Sequence, residues 1–155
     1  MNTAQTWQTT STGLDKTWQL AEQIGSKLKG GEVIELISDL GGGKTAFVQG
    51  LARGMGYDGT VHSPSFTLSN EYKTKQLTLH HFDFYRLSQP GILRDELAEI
   101  LTDPGSVVAV EWAAIVEDVL PSKRLTVIIT VTGETSRRLD MTYSDELRYL
   151  LPTKT

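Results

Sequence analysis

The stretch SDLGGGKTAF, residues 38–47, decides how this chain is read. It follows the apolar run Val33-Ile34-Glu35-Leu36-Ile37 and leads into Phe47, Val48, Leu51 and Met55, which recur at helical spacing. A strand, a glycine-rich turn and a helix are the setting in which G-x-x-x-x-G-K-[ST] grips phosphate. Here Ser38 stands at the first glycine position. Glycine at 41, 42 and 43 lets main-chain N–H groups turn inward, because a residue without Cβ tolerates positive φ. The helix starting near Lys44 adds its unpaired N–H groups and positive dipole end. The Lys44 ammonium suits terminal phosphates and the Thr45 hydroxyl suits Mg²⁺. Serine is small and lies farthest from the phosphates, so a tighter turn is expected and nucleotide binding is retained.

Working outward, Leu14, Trp18, Ala21, Ile24 and Leu28 predict an amphipathic helix, with Thr12 and Asp15 as a capping-box-like start and Gly30-Gly31 as the stop. Beyond a polar connection, residues 57–64, two strand-like runs at 66–72 and 77–85 flank Lys73-Thr74-Lys75-Gln76 and predict an antiparallel hairpin. Pro90-Gly91 opens a helical pattern through Ile92, Leu93, Leu97, Ile100 and Leu101. Val107-Val108-Ala109-Val110 does not alternate with polar residues and reads as a strand buried on both faces. A short helix at 113–120, strands at 125–131 and near 138–143 with a turn at Gly133, and a half-packed helix at 145–151 complete the pattern.

Magnesium takes oxygen ligands, so a carboxylate is expected at the end of a neighbouring strand. Glu111 closes the apolar run in the position of a Walker B acid. Asp83 lies in His80-His81-Phe82-Asp83-Phe84-Tyr85-Arg86, where a salt bridge to Arg86 is an equally open reading. His80 and His81 point to opposite faces of a strand and cannot chelate one ion together. Trp112 reads as a core or pocket-wall aromatic. The hydroxyls of His62-Ser63-Pro64-Ser65-Phe66-Thr67 fall where P-loop enzymes carry a segment that senses the terminal phosphate, or form an ordinary polar turn.

At 155 residues, with 39% hydrophobic and 22% charged residues, one globular domain spanning 1–155 is expected, its tail from about 145 loosely packed. A net charge of −4 argues against affinity built mainly on a nucleic-acid backbone. The absence of cysteine excludes disulfides, zinc-thiolate and iron–sulfur sites and thiol nucleophiles. Without signal-peptide features or an apolar run of about 20 residues, the expected location is cytoplasmic, away from membranes.

Four motifs in order resemble the bacterial TsaE family, the P-loop ATPases of tRNA threonylcarbamoyladenosine biosynthesis. They are Ser38-Asp39-Leu40-Gly41-Gly42-Gly43-Lys44-Thr45 against G-D-L-G-x-G-K-T, Ser63-Pro64-Ser65-Phe66-Thr67, His81 to Leu87 against H-F-D-x-Y-R-L, and Val110-Glu111-Trp112. Ser38 for glycine and Ser65 for threonine are the departures. The resemblance implies a three-layer α/β P-loop domain, a mixed sheet with parallel central strands and antiparallel flanking ones. It implies a Mg²⁺-dependent ATPase that acts on a heterodimer of the threonylcarbamoyl-transferase subunit and its companion, resetting it between turnovers and meeting tRNA only through that complex. By the same resemblance ATP contacts fall on Leu14, Asp39, Leu40, Gly41, Gly42, Gly43, Lys44, Thr45, Ala46 and Gly133, with the base near 11–14 and 133–137. Thr45 and Glu111 hold the metal, and Lys44 and Asp83 serve catalysis, Asp83 by positioning or activating water. A small-molecule P-loop kinase fits less well, since no arginine-rich lid is present. A nucleotide-gated binding module with negligible turnover uses the same residues. Guanine preference is not expected, as no N-K-x-D motif follows the loop.

Overall fold

The structure, a computed structural model, describes residues 4–38, 43–64, 69–85, 87 and 91–152. Seven strands form one sheet: β1 Gln5–Ser11, β2 Val33–Ser38, β3 Ser69–Lys73, β4 Thr78–Asp83, β5 Ser106–Glu111, β6 Leu125–Val131 and β7 Arg137–Tyr143. Their order is β1-β7-β6-β2-β5-β4-β3. The central pairs β6/β2, β2/β5 and β5/β4 are parallel, while β6/β7, β7/β1 and β3/β4 are antiparallel. The mixed sheet and the β3/β4 hairpin are as the sequence predicts. Residues 66–68 of the expected strand lie outside the described residues.

The parallel register sends the C-terminal ends of β2, β4, β5 and β6 to one edge. Because β7 and β1 run antiparallel, the β6–β7 turn and the segment following Ser11 reach that same edge. Helices α1 Leu14–Gly25 and α2 Lys44–Gly54 cover one face. There Ala21, Ile24, Phe47, Val48 and Leu51 pack on Ile34, Leu36, Ala109, Val127 and Met141. Helix α3 Gly91–Ile100 and a 3₁₀ turn, Ala113–Val116, cover the opposite face over β4 and β5, where Leu97 and Val116 meet Phe82, Phe84 and Val110. β5 is buried along its whole length, as a strand between two covered faces must be.

Helices α1 and α2 touch through glycine. A Cβ on Gly50 would stand 2.6 Å from the Trp18 carbonyl oxygen, and one on Gly25 only 2.3 Å from that of Leu51. This contact sets the end of α1 at Gly25, so Leu28, expected inside the helix, packs from the turn beyond it. The start differs as well: Gly13 is the N-cap, no side chain caps the helix, and the Thr12/Asp15 box does not form. Ser11 Oγ instead bonds the Gly13 carbonyl at 2.7 Å and Thr17 Oγ1 at 2.8 Å, tying β1 to α1.

Further differences follow from tertiary context. β1 is not predicted, because only Trp7 in Gln-Thr-Trp-Gln-Thr-Thr-Ser is apolar and its order comes from seven-residue pairing with β7. The helix expected at 113–120 is a four-residue 3₁₀ turn, and Ile92, part of the expected helical pattern, lies 84% exposed in the first turn of α3. The tail forms a 3₁₀ segment, Asp145–Leu150, whose Leu147 and Leu150 join the main core, so it is packed and not loose. No helix among the described residues is long and apolar enough to cross a membrane.

The tail is also pinned by a buried carboxylate. Glu32 accepts the N–H groups of Lys29 and Gly30, both at 2.8 Å, and the Tyr149 hydroxyl at 2.5 Å, just before β2 begins. Burial and the bond to Glu32 push the Tyr149 phenol above its ordinary pKa. Tyr149→Phe is expected to cost about 1.5 kcal/mol, the worth of a hydrogen bond to a charged acceptor. Because the folded pKa is raised, this contribution is complete below pH of about 10 and is lost as the pH rises through the folded value. Denaturant unfolding of both proteins should therefore show the gap narrowing only in alkali.

Candidate functional site

Lys44 and Glu111 meet at the C-terminal edge of the parallel strands. Glu111 ends β5 and is 4% exposed, while Lys44 opens α2 and is also buried. Charges that have left water need partners. Lys44 Nζ lies 3.4 Å from Glu111 Oε1 and donates to the Ser38 carbonyl at 3.1 Å. Ser38 thus supports the lysine through its main chain, which any residue there supplies. The second Glu111 oxygen, Oε2, lies 2.5 Å from Nε2 of His81, a side chain with no solvent exposure. The register explains this reach. Asp83 pairs with Glu111 and His81 with Ala109, so a methyl group stands opposite His81 and leaves room for the imidazole to reach forward.

Asp83 comes into the same cluster. It is buried beside Glu111, and Oδ1 accepts the Tyr85 N–H at 2.9 Å. Burial pushes its carboxyl above the ordinary range and the neighbouring Glu111 adds to the rise. The Tyr85 bond is the largest opposing effect, followed by His81 and Lys44. The alternative partner, Arg86, lies outside the described residues.

Trp112 follows Glu111 with φ 56°, ψ 52°, a left-handed conformation that is costly for a bulky L-residue. Its ring lies 5.7 Å from Lys44 Nζ and packs on Tyr85 with centroids 4.9 Å apart. The expected pocket-wall aromatic therefore stands over the lysine, held by a backbone turn that a plain core position would not require.

Gly43, the N-cap of α2, has φ 109° and nothing within 4 Å of a Cβ built upon it. No described residue fills the space beside the helix start, and the backbone conformation is one that L side chains avoid. Thr45 is exposed and, with Ala46, Leu14, Trp18, Gln49 and Val61, lines a groove of about 510 Å³. Leu14 and Ala46 thus share one surface. Gly133 does not line this groove. It sits in the β6–β7 turn at the same sheet edge, its carbonyl 3.3 Å from Arg137 Nη1. Asp39, Leu40, Gly41, Gly42, Ser65, Phe66 and Thr67 lie outside the described residues.

Two contributors escape sequence reasoning. Gln49 accepts the Val61 N–H at 2.9 Å and donates to the Gly59 carbonyl at 3.4 Å, joining α2 to the segment that leads into the hydroxyl-rich stretch. His62 is then fixed to β3, its N–H donating to Tyr72 Oη at 3.2 Å and its carbonyl accepting Asn70 Nδ2 at 3.0 Å. The other contributor is His81. Strand alternation places it on the face of Asp83, and that was the available signal. His80 points the other way, toward Ser106 Oγ at 3.2 Å, and burial lowers its pKa.

A glycine-rich turn between a buried β2 and α2, with its lysine against the acid that ends the adjacent parallel strand, defines a P-loop α/β fold. The family model described as threonylcarbamoyl adenosine biosynthesis protein TsaE matches residues 11–139, and the chain belongs to the TsaE family. The tRNA threonylcarbamoyladenosine biosynthesis protein TsaE of Bacillus subtilis is 36% identical over 132 residues, 83% of this chain and 80% of that protein. The protein of the same name from Nostoc sp. is 37% identical over 147 residues, 90% and 88% of the two chains. The crystal structure of Bacillus subtilis YdiB superposes with a TM-score of 0.76 at 32% identity, over 96% of this chain and 92% of that one. The likeness therefore takes in both the parallel centre and the antiparallel flank of the sheet.

The geometry at Gly43 gives a direct prediction. Gly43→Ala meets no steric neighbour among the described residues, so its expected cost is that of the left-handed backbone, about 1–2 kcal/mol. Denaturant unfolding without nucleotide should register that loss.

Proposed function

We propose that this protein binds ATP with Mg²⁺ and hydrolyses it in support of tRNA threonylcarbamoyladenosine formation, acting on the transferase heterodimer and not performing the transfer itself. The observation that carries the reading is the buried contact of Lys44 with Glu111 and the Ser38 carbonyl, with Asp83 alongside. Membership in the TsaE family supports the tRNA context. The work is cytoplasmic in this reading, and tRNA is met through the partner complex.

The oxygen donors fit magnesium. Among the described residues no group of three or more His, Cys, Asp or Glu side chains could form a metal cage. Mg²⁺ usually takes one or two protein oxygens together with phosphate and water. Thr45 and Glu111 would hold it, and the chemistry it would supply there is neutralisation of charge on the terminal phosphates.

The chain's own groups divide the remaining work. Lys44 exchanges its present oxygens for phosphate oxygens, aided by the main-chain N–H groups of the glycine loop. Asp83 keeps Oδ1 on the Tyr85 N–H and presents Oδ2 to the attacking water, orienting it or taking its proton. Trp112 and Tyr85 shield this corner from solvent. Leu14 and Ala46 offer apolar surface for the base, with the turn at Gly133 closing from the same edge.

Phosphate release from ATP, measured with and without the transferase heterodimer, tests the proposal. Lys44→Ala should lower turnover by about 10²-fold or more, the scale of losing one charge-stabilising donor. Asp83→Asn should lower it by about 10²–10⁴-fold, the range for a group that moves a proton. Turnover equal to that of Lys44→Ala in both conditions would show a nucleotide-gated binder in place of an ATPase.

A further inference from the structure

We infer that His81 is a positioning residue that fixes the Glu111 carboxylate for the metal, an inference that rests on the reading of Glu111 as a Mg²⁺ ligand. His81 has no solvent exposure, and its Nε2 lies 2.5 Å from Glu111 Oε2. Its other nitrogen, Nδ1, is buried without a hydrogen-bond partner. Among the described residues the ring therefore has a single polar anchor, and that anchor is Glu111. A carboxylate beside an ammonium accepts, so the imidazole carries its anchored proton on Nε2 and donates it. With Oε2 held in this way, Oε1 is the oxygen that faces Lys44, the first residue of α2.

A carboxylate on a strand end has freedom about its side-chain torsions, and each torsion left loose lowers the fraction of time spent ready to ligate. Partners that orient a metal ligand typically change metal affinity by about 10–100-fold when removed. The placement in the strand agrees with such a role. His81 precedes Asp83 by two residues on one face of β4, so a single rigid strand carries both the Glu111 anchor and the water-side carboxylate. A histidine present only to fill core volume would offer the same shape as phenylalanine, and its nitrogen would not need to meet an acid.

The experiment separates metal from nucleotide. A fluorescent adenine nucleotide is bound to each variant in EDTA, and Mg²⁺ is then titrated at fixed nucleotide, with circular dichroism and thermal unfolding confirming the fold. His81→Phe should weaken Mg²⁺ by about 10–100-fold while affinity in EDTA stays unchanged. His81→Gln, whose amide nitrogen reaches the place of Nε2, should restore most of the metal affinity. His81→Asn, whose amide corresponds to Nδ1, should not. In a Glu111→Gln background His81→Phe should have no further effect. If His81→Phe fails to fold, the contrast between Gln and Asn decides. Wild-type Mg²⁺ affinity in His81→Phe, or equal affinities in the Gln and Asn variants, would overturn the inference while leaving the proposed function standing, provided Glu111→Gln itself weakens Mg²⁺. Unchanged Mg²⁺ affinity in Glu111→Gln would instead remove Glu111 from the metal site, and the inference with it.

Discussion

Glu111 is a carboxylate taken out of water at the end of a fully buried strand, and most of the functional edge follows from that constraint. An unpaired charge there is untenable, so both oxygens are engaged, one by Lys44 and one by His81. Such a network is poor evidence of stability, because desolvation of buried ions offsets much of their attraction, and apolar replacements of equal volume often serve as well. Its presence at the mouth of a glycine loop has a better explanation. Under the proposed function the same groups would serve in a second arrangement, with phosphate on the lysine and a metal on the acid.

That proposed arrangement would sit on a sheet edge braced by close packing and hydrogen bonds. Helices α1 and α2 approach so closely that a methyl group at Gly25 or Gly50 would collide with main-chain atoms, which locks the two helices against each other. Gln49 carries this rigidity from α2 into residues 59–61, and Tyr72 and Asn70 carry it on to His62. At the far edge Glu32 gathers the turn before β2 and the tail through Tyr149. The strand that ends in the glycine loop is held at both ends.

What was legible in the sequence is what local pattern and short-range chemistry encode. The apolar 33–37 run, the glycines and the helical spacing from Lys44 specify β2 and α2, and an unalternated Val107-Val108-Ala109-Val110 specifies a strand covered on both faces. What failed depends on distant partners. β1 is polar along nearly its whole length and owes its order to β7, more than 120 residues away in the chain. The tail's Leu147 and Leu150 are buried by packing that no local period announces. His81 was the instructive case. Alternation ruled out a shared metal with His80 and placed His81 on the face of Asp83, but its bond to Glu111 needs the β4/β5 register, which the sequence does not contain.

Ser38 shows how a departure from a motif is resolved by asking which atom acts. The glycine usual at that position implies backbone freedom, yet here it is the last residue of β2, still paired in parallel with Ile129. Its described link to the lysine is a carbonyl oxygen, indifferent to the side chain. The freedom is needed further along, at Gly43, where φ is 109° and the helix begins. Lys44 in turn rests on two oxygens that a phosphate can replace one for one. Under the proposed function, a phosphate that drew the ammonium away would leave Glu111 with His81 on Oε2 and Oε1 free for a cation. In that reading the cost of parting a buried ion pair would be offset by the two charges that part it, a polyanion for the lysine and a metal for the acid, which would tie occupancy of one site to occupancy of the other.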